Sequence, residues 1–504
     1  MMRTQSSTTC GSHRALSQFC SFILFGFLAT TTVCEPDYPS LDWYHPQVDL
    51  LAQLQSRLTG SPNHTTFVNH LESQLQSLGL QVNSDVFQFA YNQAPQSPPQ
   101  IQLNGQTIPA SFYIPYSGNT DAVGVTGTLV NVINPALSSP DWSRANGSIA
   151  VLNITNPGTD GAKNLAVWPG SPAWGTLPGV PASAANIYVH NLTDAARLGV
   201  KGVIYAWQNL TLANAYGQYG PFKINYQGIP AVQVAGSVSQ QIVAAANQGS
   251  TVTLTSTGQL FPNGTTRTLW TIVEGTERKN ESVIISTHTD GSNVVEENGH
   301  LALLAKAREL KASPPKRTTI LVFLTGHLHT SGFTDKGRVM ARWLSDHQDL
   351  WNGTNGNGYK ALFGSCVEHL GAVQWKEDVA NDLYYPTGRL DPEVIYAATE
   401  ELASLFQSNW RGATPDTIRA TNPLKTTAEQ GGEGLPFLWS QIPEISLVTA
   451  PSWLLKIWPE DFNQTQLMDI PAAKRQVDSF LRIWEAVDIL PQSGFGKLNY
   501  TRNL

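Results

Sequence analysis

Cysteine is scarce in this sequence of 504 residues, which contains four. Cys10, Cys20 and Cys34 lie in or beside an N-terminal leader-like segment, so Cys366 is alone in the rest of the chain. One cysteine cannot form an internal disulfide, which excludes a disulfide-stabilised scaffold. Cys366 lies within an apolar strand pattern, and we expect a buried, inert thiol there instead of a nucleophile.

Charged residues are also few, at 14% of the chain against 41% hydrophobic residues, and the formal net charge is −7. The chain has no run of lysine or arginine, so the sequence predicts no nucleic-acid partner. This composition is typical of a folded protein and not of a disordered one. The length is too great for one ordinary core, and we expect two domains or more.

The sequence has no hydrophobic run long enough to cross a membrane comfortably. An apolar run over residues 19–29 follows Arg3, His13 and Arg14, in the manner of a secretory signal peptide. We therefore predict a signal peptide over residues 1–34. A short membrane anchor is the alternative that this pattern leaves open.

Signals for asparagine glycosylation (Asn-x-Ser/Thr) are frequent along the chain. Their density favours passage through a glycosylating secretory route, and we predict a secreted, extracellular glycoprotein. The asparagines are Asn63, Asn146, Asn153, Asn191, Asn209, Asn263, Asn280, Asn352, Asn463 and Asn499.

Hydrophobic periodicity divides the rest of the chain into three sections. Residues 35–120 begin with a helical pattern, interrupted by a turn signal at 58–62, and continue with a strand pattern. Residues 265–504 alternate strands and helices, which predicts a mostly parallel sheet with helices on both faces. The strands predicted there are Ser282–Ser286, Thr319–Leu324, Phe363–His369 and Glu444–Val448, and the helices are Leu301–Leu310, Val394–Phe406 and Ala472–Ile489.

The middle section, residues 121–264, contains short β runs separated by Gly, Asn and Pro. A predicted helix over 192–198 leads into a strand pattern at 199–205, and an Ile-Pro segment follows at 229–230. This arrangement resembles a protease-associated domain, a small β-rich module. The resemblance implies an insertion or lid beside a hydrolase, with no catalytic group of its own.

The segment around His288 combines the residues best suited to chemistry. A buried strand delivers His288 and Asp290 at its carboxyl end, and the acidic pair Glu296-Glu297 follows just before a predicted helix. In an open α/β sheet, ligands bind outside the carboxyl ends of the strands. A histidine with carboxylates at such a place can form a metal site or an acid–base site.

Two further strand ends carry groups of the same kind. His327 follows one predicted strand, and Glu368 and His369 lie at the end of another, where an unpaired charge would be costly. Structural explanations stay open, because a histidine can belong to the core and Glu296-Glu297 can favour a helix N-terminus. A glycosidase that uses Glu296, Glu297 and Glu368 also stays open. The sequence contains no His-Glu-x-x-His, Gly-x-Ser-x-Gly or phosphate-loop motif.

Taken together, Leu58–Ser61, His288-x-Asp290, the Glu-Asn-Gly helix start and Phe323–His327 resemble the zinc aminopeptidase and glutamate-carboxypeptidase family. The resemblance covers nearly the whole chain after the leader. It implies a phosphorylase- and aminopeptidase-like α/β fold with a mostly parallel sheet and helices on both faces. Residues 35–120 and 265–504 would form its two parts, with the protease-associated domain inserted over residues 121–264.

That family carries two zinc ions, and this sequence matches the ligands of only one. The resemblance assigns His288, Glu297 and Glu368 to that zinc, with Glu296 as the alternative to Glu297. The second zinc has no match, because Leu328 occupies one of its ligand positions. One zinc ion is therefore the expected cofactor, held by three protein ligands with an open fourth position.

The catalytic groups that the resemblance implies are His327, Asp290 and Glu296. His327 stands in the place of the general base, a role that histidine can fill near neutral pH. Asp290 matches the acid that orients His288 through its second ring nitrogen. The late histidine of the family has no match, and only Glu433 lies near its place.

These expectations lead to two hypotheses. The first is a secreted metal-dependent hydrolase of peptide or amide bonds, in which metal-activated water attacks a carbonyl and His327 takes the proton. The second is a catalytically inactive, peptidase-like binding protein with a degenerate metal site. The expected partner is a peptide or another amide, with no nucleic acid and no stable membrane span, and the oligomeric state stays open.

Overall fold

The computed structural model describes residues 38–93, 98–133, 140–156, 192–222, 224–353, 358–413, 418–421 and 430–500. The predicted signal peptide and the glycosylation signal at Asn191 lie outside these ranges. Within them, no helix is long and apolar enough to cross a membrane.

Several helices begin at capping signals that the sequence shows. Ser61 accepts the backbone N–H of His64, and Asp469 accepts that of Ala472, with a proline in the first turn of each helix. The helices of the described ranges are α1 (Leu41–Leu54), α2 (Pro62–Ser77), α3 (Leu192–Arg197), α4 (Leu212–Ala215), α5 (Gly236–Asn247), α6 (His300–Ala312), α7 (Thr330–Phe333), α8 (Val339–Asp346), α9 (Glu400–Asn409), α10 (Leu435–Trp439) and α11 (Ile470–Ile489).

The strands of the same ranges form two large sheets and one hairpin. They are β1 (Asn83–Gln93), β2 (Gln100–Leu103), β3 (Gln106–Pro109), β4 (Phe112–Tyr113), β5 (Val125–Asn131), β6 (Ile149–Thr155), β7 (Gly202–Gln208), β8 (Ala231–Val234), β9 (Thr251–Thr255), β10 (Gln259–Val273), β11 (Arg278–His288), β12 (Arg317–Leu324), β13 (Lys360–Glu368), β14 (Val373–Asp378), β15 (Leu383–Leu390), β16 (Glu393–Ala397), β17 (Ile418–Thr421) and β18 (Ile445–Val448).

The first sheet has the strand order β1-β10-β12-β11-β13-β18-β16-β17. Its centre is parallel, because β11 pairs with both β12 and β13, and β13 pairs with β18. Antiparallel pairings add β10 and β1 at one edge and join β16 to β18 near the other. The predicted α/β sheet is confirmed, with antiparallel strands added to its parallel centre.

Helices cover both faces of this sheet, as predicted. Val283 and Ile285 pack into the core that contains α1, α2, α6, α9 and α11, whereas Ile284 packs into the core with α8 and α10. Central strands that are buried on both faces need apolar side chains on both sides of the backbone. β12 is buried at every position, and its residues Ile320 to Leu324 are all apolar.

The second sheet has the order β3-β2-β9-β5-β6-β7-β8-β4 and uses residues between Gln100 and Thr255. Its middle strands β5 to β8 are parallel neighbours, and α3 and α5 pack into cores on opposite faces. Strands β2 to β4 belong to this sheet although they precede residue 121, the predicted beginning of the inserted module. Its identity as a protease-associated domain stays a prediction.

A short antiparallel bridge joins the two sheets. Tyr219 N donates to Leu455 O and Ile457 N donates to Gly217 O, each at 2.9 Å. Gly217 has a φ of +74°, and a Cβ there would lie 2.0 Å from the Ile457 carbonyl oxygen, so the close approach requires glycine. The loops of the second sheet are thereby held beside the loop at residues 455–457.

One predicted helix is partly wrong. The segment Val394–Phe406 divides into β16 and α9, which begins at Glu400. β16 is buried at every position and lies between β17 and β18. Periodicity alone cannot distinguish such a continuously buried strand from a buried stretch of helix.

Candidate metal and active site

Three neighbouring strands of the first sheet place functional groups at their carboxyl ends, on the same side of the sheet. β11 ends at His288 and β13 ends at Glu368, and their parallel register places these residues at the same level. After β12 the chain turns at Gly326, with a φ of +92°, and continues into the 3₁₀ turn that begins at His327. The carboxyl ends of the strands therefore bring these three predicted site residues together.

His288, Glu296 and His369 form a compact cluster at these strand ends. One ligand atom of each lies within 4.8 Å of the other two, and all three residues are buried. In the part of the chain that the structure describes, this is the one group of three or more His, Cys, Asp or Glu with such spacing. Two imidazoles and a carboxylate are a usual ligand set of catalytic zinc.

Both histidines of the cluster are oriented for metal binding. His288 Nδ1 lies 2.9 Å from Asp290 O, and His369 Nδ1 is hydrogen-bonded to Thr449 O. Because a carbonyl only accepts, each Nδ1 carries the proton and each Nε2 presents its lone pair. Neither Nε2 atom has a hydrogen-bond partner among the described residues. Burial also lowers the pKa of both rings, to about 3 for His369, which favours the neutral form that binds metals.

His369 was not among the predicted ligands, although it follows Glu368 directly. Its backbone has a φ of +63°, a left-handed conformation that is uncommon for residues with a Cβ. Such strain is concentrated at functional sites. The available sequence signal was a second polar residue at the end of an apolar strand, and it could not show which of the two faces the cluster.

Glu296 contributes the carboxylate of the cluster. Its residue is 1% exposed, and neither carboxylate oxygen has a hydrogen-bond partner in the described ranges. Burial raises its pKa well above the ordinary value, and Glu297, Glu368 and Asp290 raise it further. An ionised carboxylate in this setting is costly unless a cation compensates it. Glu296 therefore has the surroundings of a metal ligand.

Glu297, the predicted ligand, is paired through Oε1, whereas its Oε2 has no hydrogen-bond partner among the described residues. It forms a fully buried ion pair with Arg57, whose guanidinium also donates to the Leu51 and Asn293 carbonyl oxygens. Buried charges are tolerated when they are paired and hydrogen-bonded in this way. Glu297 thus ties the loop before α6 to the segment after α1.

Glu368, also a predicted ligand, lies beside the cluster. Its Oε1 accepts from Glu433 N at 2.8 Å and from Cys366 Sγ at 3.1 Å. Burial alone would raise its pKa, but His288, His327 and His369 outweigh burial and bring the pKa to about 2. Glu368 is therefore an anion next to three histidines. Its role as a ligand stays a prediction.

His327 is held by an acid that the sequence did not single out for a role. Its Nδ1 lies 2.7 Å from Glu433 Oε1, and Glu433 Oε2 accepts from Met340 N at 2.9 Å. The ring stacks on His288 with a centroid distance of 4.2 Å. Burial lowers the pKa of His327, but the hydrogen bond and charge of Glu433, with Glu368 and Asp290, outweigh it and raise the pKa. A histidine held by a carboxylate through Nδ1 can exchange a proton at Nε2.

Asp290 connects the cluster to its surroundings. Its Oδ2 accepts from Thr59 Oγ1 and from Leu328 N, the latter at 2.8 Å. Its carboxylate lies 4.0 Å from His288 Nδ1, whereas its backbone carbonyl makes the hydrogen bond to that ring. Burial favours a higher pKa, but His64, His288 and His327 outweigh it, so the pKa is lowered and Asp290 is anionic.

Loops of the second sheet contact this site. Phe222 packs edge-on against His327, with ring centroids 5.2 Å apart, and its carbonyl accepts from Ser331 N. Tyr116 stacks on His329 at 4.1 Å. The second sheet therefore contributes aromatic side chains to the surroundings of the cluster.

The cluster shares His288 with the predicted ligand set and contains Glu296, the predicted alternative to Glu297. His369, which was not predicted as a ligand, belongs to the cluster, whereas its neighbour Glu368, a predicted ligand, lies beside it. Each difference is a shift of one residue. Glu296, predicted as a catalytic group and as the alternative ligand, is thus the carboxylate of the cluster.

Comparison with known proteins identifies solved structures with a similar fold. No protein-family model matches the chain, and no curated protein matches its sequence. Solved structures do match it. An aminopeptidase from Aneurinibacillus sp. strain AM-1 is 15% identical with a TM-score of 0.56, and the match covers 89% of this chain and 93% of that one.

Two further structures agree with this result. The zinc aminopeptidase BSAP from Bacillus subtilis is 14% identical with a TM-score of 0.56, over 91% of this chain and 98% of that one. A peptidase M28 precursor from Shewanella amazonensis SB2B is 16% identical with a TM-score of 0.60, over 89% and 97%. At such identities the likeness shows the fold alone, and it confirms the predicted aminopeptidase-like fold.

Proposed function

We propose that this protein is a metal-dependent hydrolase of peptide or amide bonds with a single zinc ion. The observation that carries the proposal is the buried cluster of His288, Glu296 and His369, whose facing nitrogen and oxygen atoms have no partners among the described residues. These residues fit a zinc ion in number, type and spacing. The similar structures named above include aminopeptidases, one of them a zinc enzyme.

A zinc ion in such a site acts as a Lewis acid and lowers the pKa of water. The chain's own residues would direct the proton. His327 Nε2 takes a proton from the attacking water and returns it to the leaving amine. Glu433 holds the ring through Nδ1, so that the proton is exchanged at Nε2. Asp290 stays anionic, holds the His288 ring through its backbone carbonyl, and fixes the turn at Leu328.

Hydrolysis by the zinc-loaded protein tests the proposal. Metal-free protein is reconstituted with one equivalent of zinc and assayed on free and N-blocked peptide amides. We expect hydrolysis that requires zinc, is lost in His369→Ala, and persists in His45→Ala, which changes an exposed histidine on α1. Zinc binding without hydrolysis of either substrate class would favour the inactive binding protein instead.

We also propose that the protein is secreted and glycosylated, with the second sheet as a protease-associated module. Six asparagines of the glycosylation signals are exposed, which supports access to glycosylating enzymes. The expected result is a loss of mass on treatment with an N-glycosidase after secretion from a eukaryotic host. The exposed asparagines are Asn146, Asn209, Asn263, Asn280, Asn463 and Asn499.

A further inference from the structure

A cavity of about 240 Å³ lies where loops of the second sheet meet the first sheet. Thr59 and Leu328 line it and are buried, whereas Pro62 and Gln93 line it and are exposed. The cavity therefore extends from the surface of the protein towards its interior. No part of the proposed mechanism uses it.

The buried part of the cavity adjoins the candidate site. Thr59 Oγ1 and Leu328 N both donate to the same carboxylate oxygen of Asp290. Leu328 also follows His327 directly in the chain. A group bound in the cavity would therefore lie near Asp290 and near His327, the proposed proton carrier.

Three tyrosine rings line the cavity, and another ring supports each of them. Tyr91 comes from β1, whereas Tyr116 and Tyr219 come from loops of the second sheet. Rings that are already held by a neighbouring ring lose little conformational freedom when a ligand binds, which favours affinity. The supporting contacts are Tyr91 with Phe261 at 4.8 Å, Tyr116 with His329 at 4.1 Å, and Tyr219 with Phe112 at 5.8 Å.

The polar groups that line the cavity are uncharged and mostly engaged. Ser61 caps α2, Asn63 donates to the Leu54 carbonyl, and Asn92 donates to the Ser117 carbonyl. Ser56 Oγ is buried and has no partner among the described residues. The lining residues, all within the described ranges, include no Asp, Glu, Lys, Arg or His. A charged guest would lose hydration without gaining an ion pair.

We propose that this cavity binds an uncharged aromatic group of the substrate, next to the amide bond that is hydrolysed. The inference rests on the proposed function and adds the substrate class. At about 30 Å³ for each water molecule, the volume corresponds to about eight waters, which is enough for a phenyl or phenol ring. Aromatic rings pair favourably with the tyrosines in stacked or edge-on arrangements.

Binding to the metal-free protein tests this separately from catalysis. Calorimetry compares N-acetyl-phenylalaninamide with the corresponding aspartate and lysine amides. We expect the phenylalanine probe to bind at least about tenfold more tightly than either charged probe. Leu58→Lys, which places a charge in the lining, should remove this preference. Val86→Lys, at an exposed position of β1, should leave it unchanged.

Ser56→Phe provides a second variant, because Ser56 is only partly buried and a phenyl group there would fill the cavity. It should abolish binding of the phenylalanine probe while the protein stays folded by circular dichroism. No detectable binding of that probe to the wild type would overturn the inference. Equal or tighter binding of a charged probe, or an unchanged preference in both variants, would overturn it as well.

Hydrolysis assays distinguish the two possible failures. Selective binding without hydrolysis of any amide would leave the cavity assignment intact and contradict the proposed function. Hydrolysis that favours charged groups over aromatic ones would leave the proposed function intact and contradict the cavity assignment.

Discussion

Each end of the central strands buries an ionisable side chain, one with hydrogen-bond partners among the described residues and the other without. At the amino end of β12, Arg317 is 1% exposed, and its guanidinium is bonded to Glu281 and to carbonyl groups at residues 487–490. Beyond the carboxyl end of β11, Glu296 is equally buried and neither of its oxygens has a partner in the described ranges. The same sheet thus has a buried charge with partners at one end and a buried carboxyl group without described partners at the other.

This difference shows which observation points to a function. Burial of a charge does not by itself indicate a site, because structural ion pairs are buried as well. Buried polar groups without partners are rare in native proteins and require an explanation. Among the buried atoms at the carboxyl end that have no partner in the described ranges, those of His288, Glu296 and His369 lie close to one another, and a bound cation would give these three residues a partner.

The strongest test of this difference replaces each of two neighbouring glutamates in turn by glutamine. Glu296→Gln should abolish zinc binding and hydrolysis without reducing the stability of the metal-free protein. Glu297→Gln leaves Arg57 buried without its partner, and we expect a loss of about 3–5 kcal/mol in the free energy of unfolding. Zinc analysis and urea denaturation of both variants measure the two effects. Equal effects of the two substitutions would remove the distinction between them.

Removal of His327, the proposed proton carrier, should have the next largest effect on the rate of hydrolysis. His327→Ala should lower kcat by about 10²–10⁴-fold with zinc still bound, because general acid–base catalysis contributes on that scale. Glu433→Gln should give a smaller loss, since the ring remains but is held less firmly. Steady-state kinetics with zinc analysis separates these results, with His45→Ala as the control. Loss of zinc in His327→Ala would instead make this residue a ligand.

Much of the fold and part of this site follow from local sequence patterns. The strand that ends at His288, the acids before α6 and the position of His327 are visible because buried strands lead directly to polar residues. The choice between Glu296 and Glu297 is not visible, since it depends on how the loop before α6 turns. His369 depends in the same way on one left-handed backbone conformation.

Other features depend on contacts between distant segments. Glu433 reaches His327 across 106 positions of the chain, and Arg57 reaches Glu297 across 240. β2 and β4 join the second sheet through pairing with β9 and β8, which no local pattern shows, and β3 pairs with β2. Periodicity describes one element at a time and cannot identify such partners.

Substitution of Arg317 at the amino end of β12 should lower the stability of the protein without changing its zinc binding. Arg317→Met removes several charge-assisted hydrogen bonds, and we expect a loss of about 3 kcal/mol in the free energy of unfolding. The zinc content should not change. Arg197→Met, at a side chain that is 70% exposed, is the control and should change stability by less than about 0.5 kcal/mol. A loss of zinc in Arg317→Met would mean that the two ends are coupled.

A smaller effect on stability is expected at Lys456, a buried ionisable side chain without an ion pair in the described ranges. It is 3% exposed, forms no ion pair with a described residue, and lies near the rings of Tyr216, Tyr384 and Trp458. Burial lowers its pKa to about 7, from 10.5. Between these two pH values unfolding takes up a proton, so the stability of the wild type rises with pH by at most about 1.4 kcal/mol per unit.

Lys456→Met removes this dependence. The variant should gain most relative to the wild type at pH 6, and its advantage should shrink by about 2 kcal/mol between pH 7 and pH 9. Urea denaturation at several pH values measures the difference, with Lys311→Met at an exposed position as the control. A difference that does not vary with pH would mean that Lys456 is not desolvated in the folded protein.

Titration of zinc into the metal-free protein tests the central claim most directly. Calorimetry with elemental analysis should show one zinc ion per chain in the wild type and in His45→Ala. The same titration of His288→Ala and His369→Ala should show no stoichiometric binding, although both variants stay folded. The absence of saturable binding in the wild type, or retention of the ion in His369→Ala, would contradict the account.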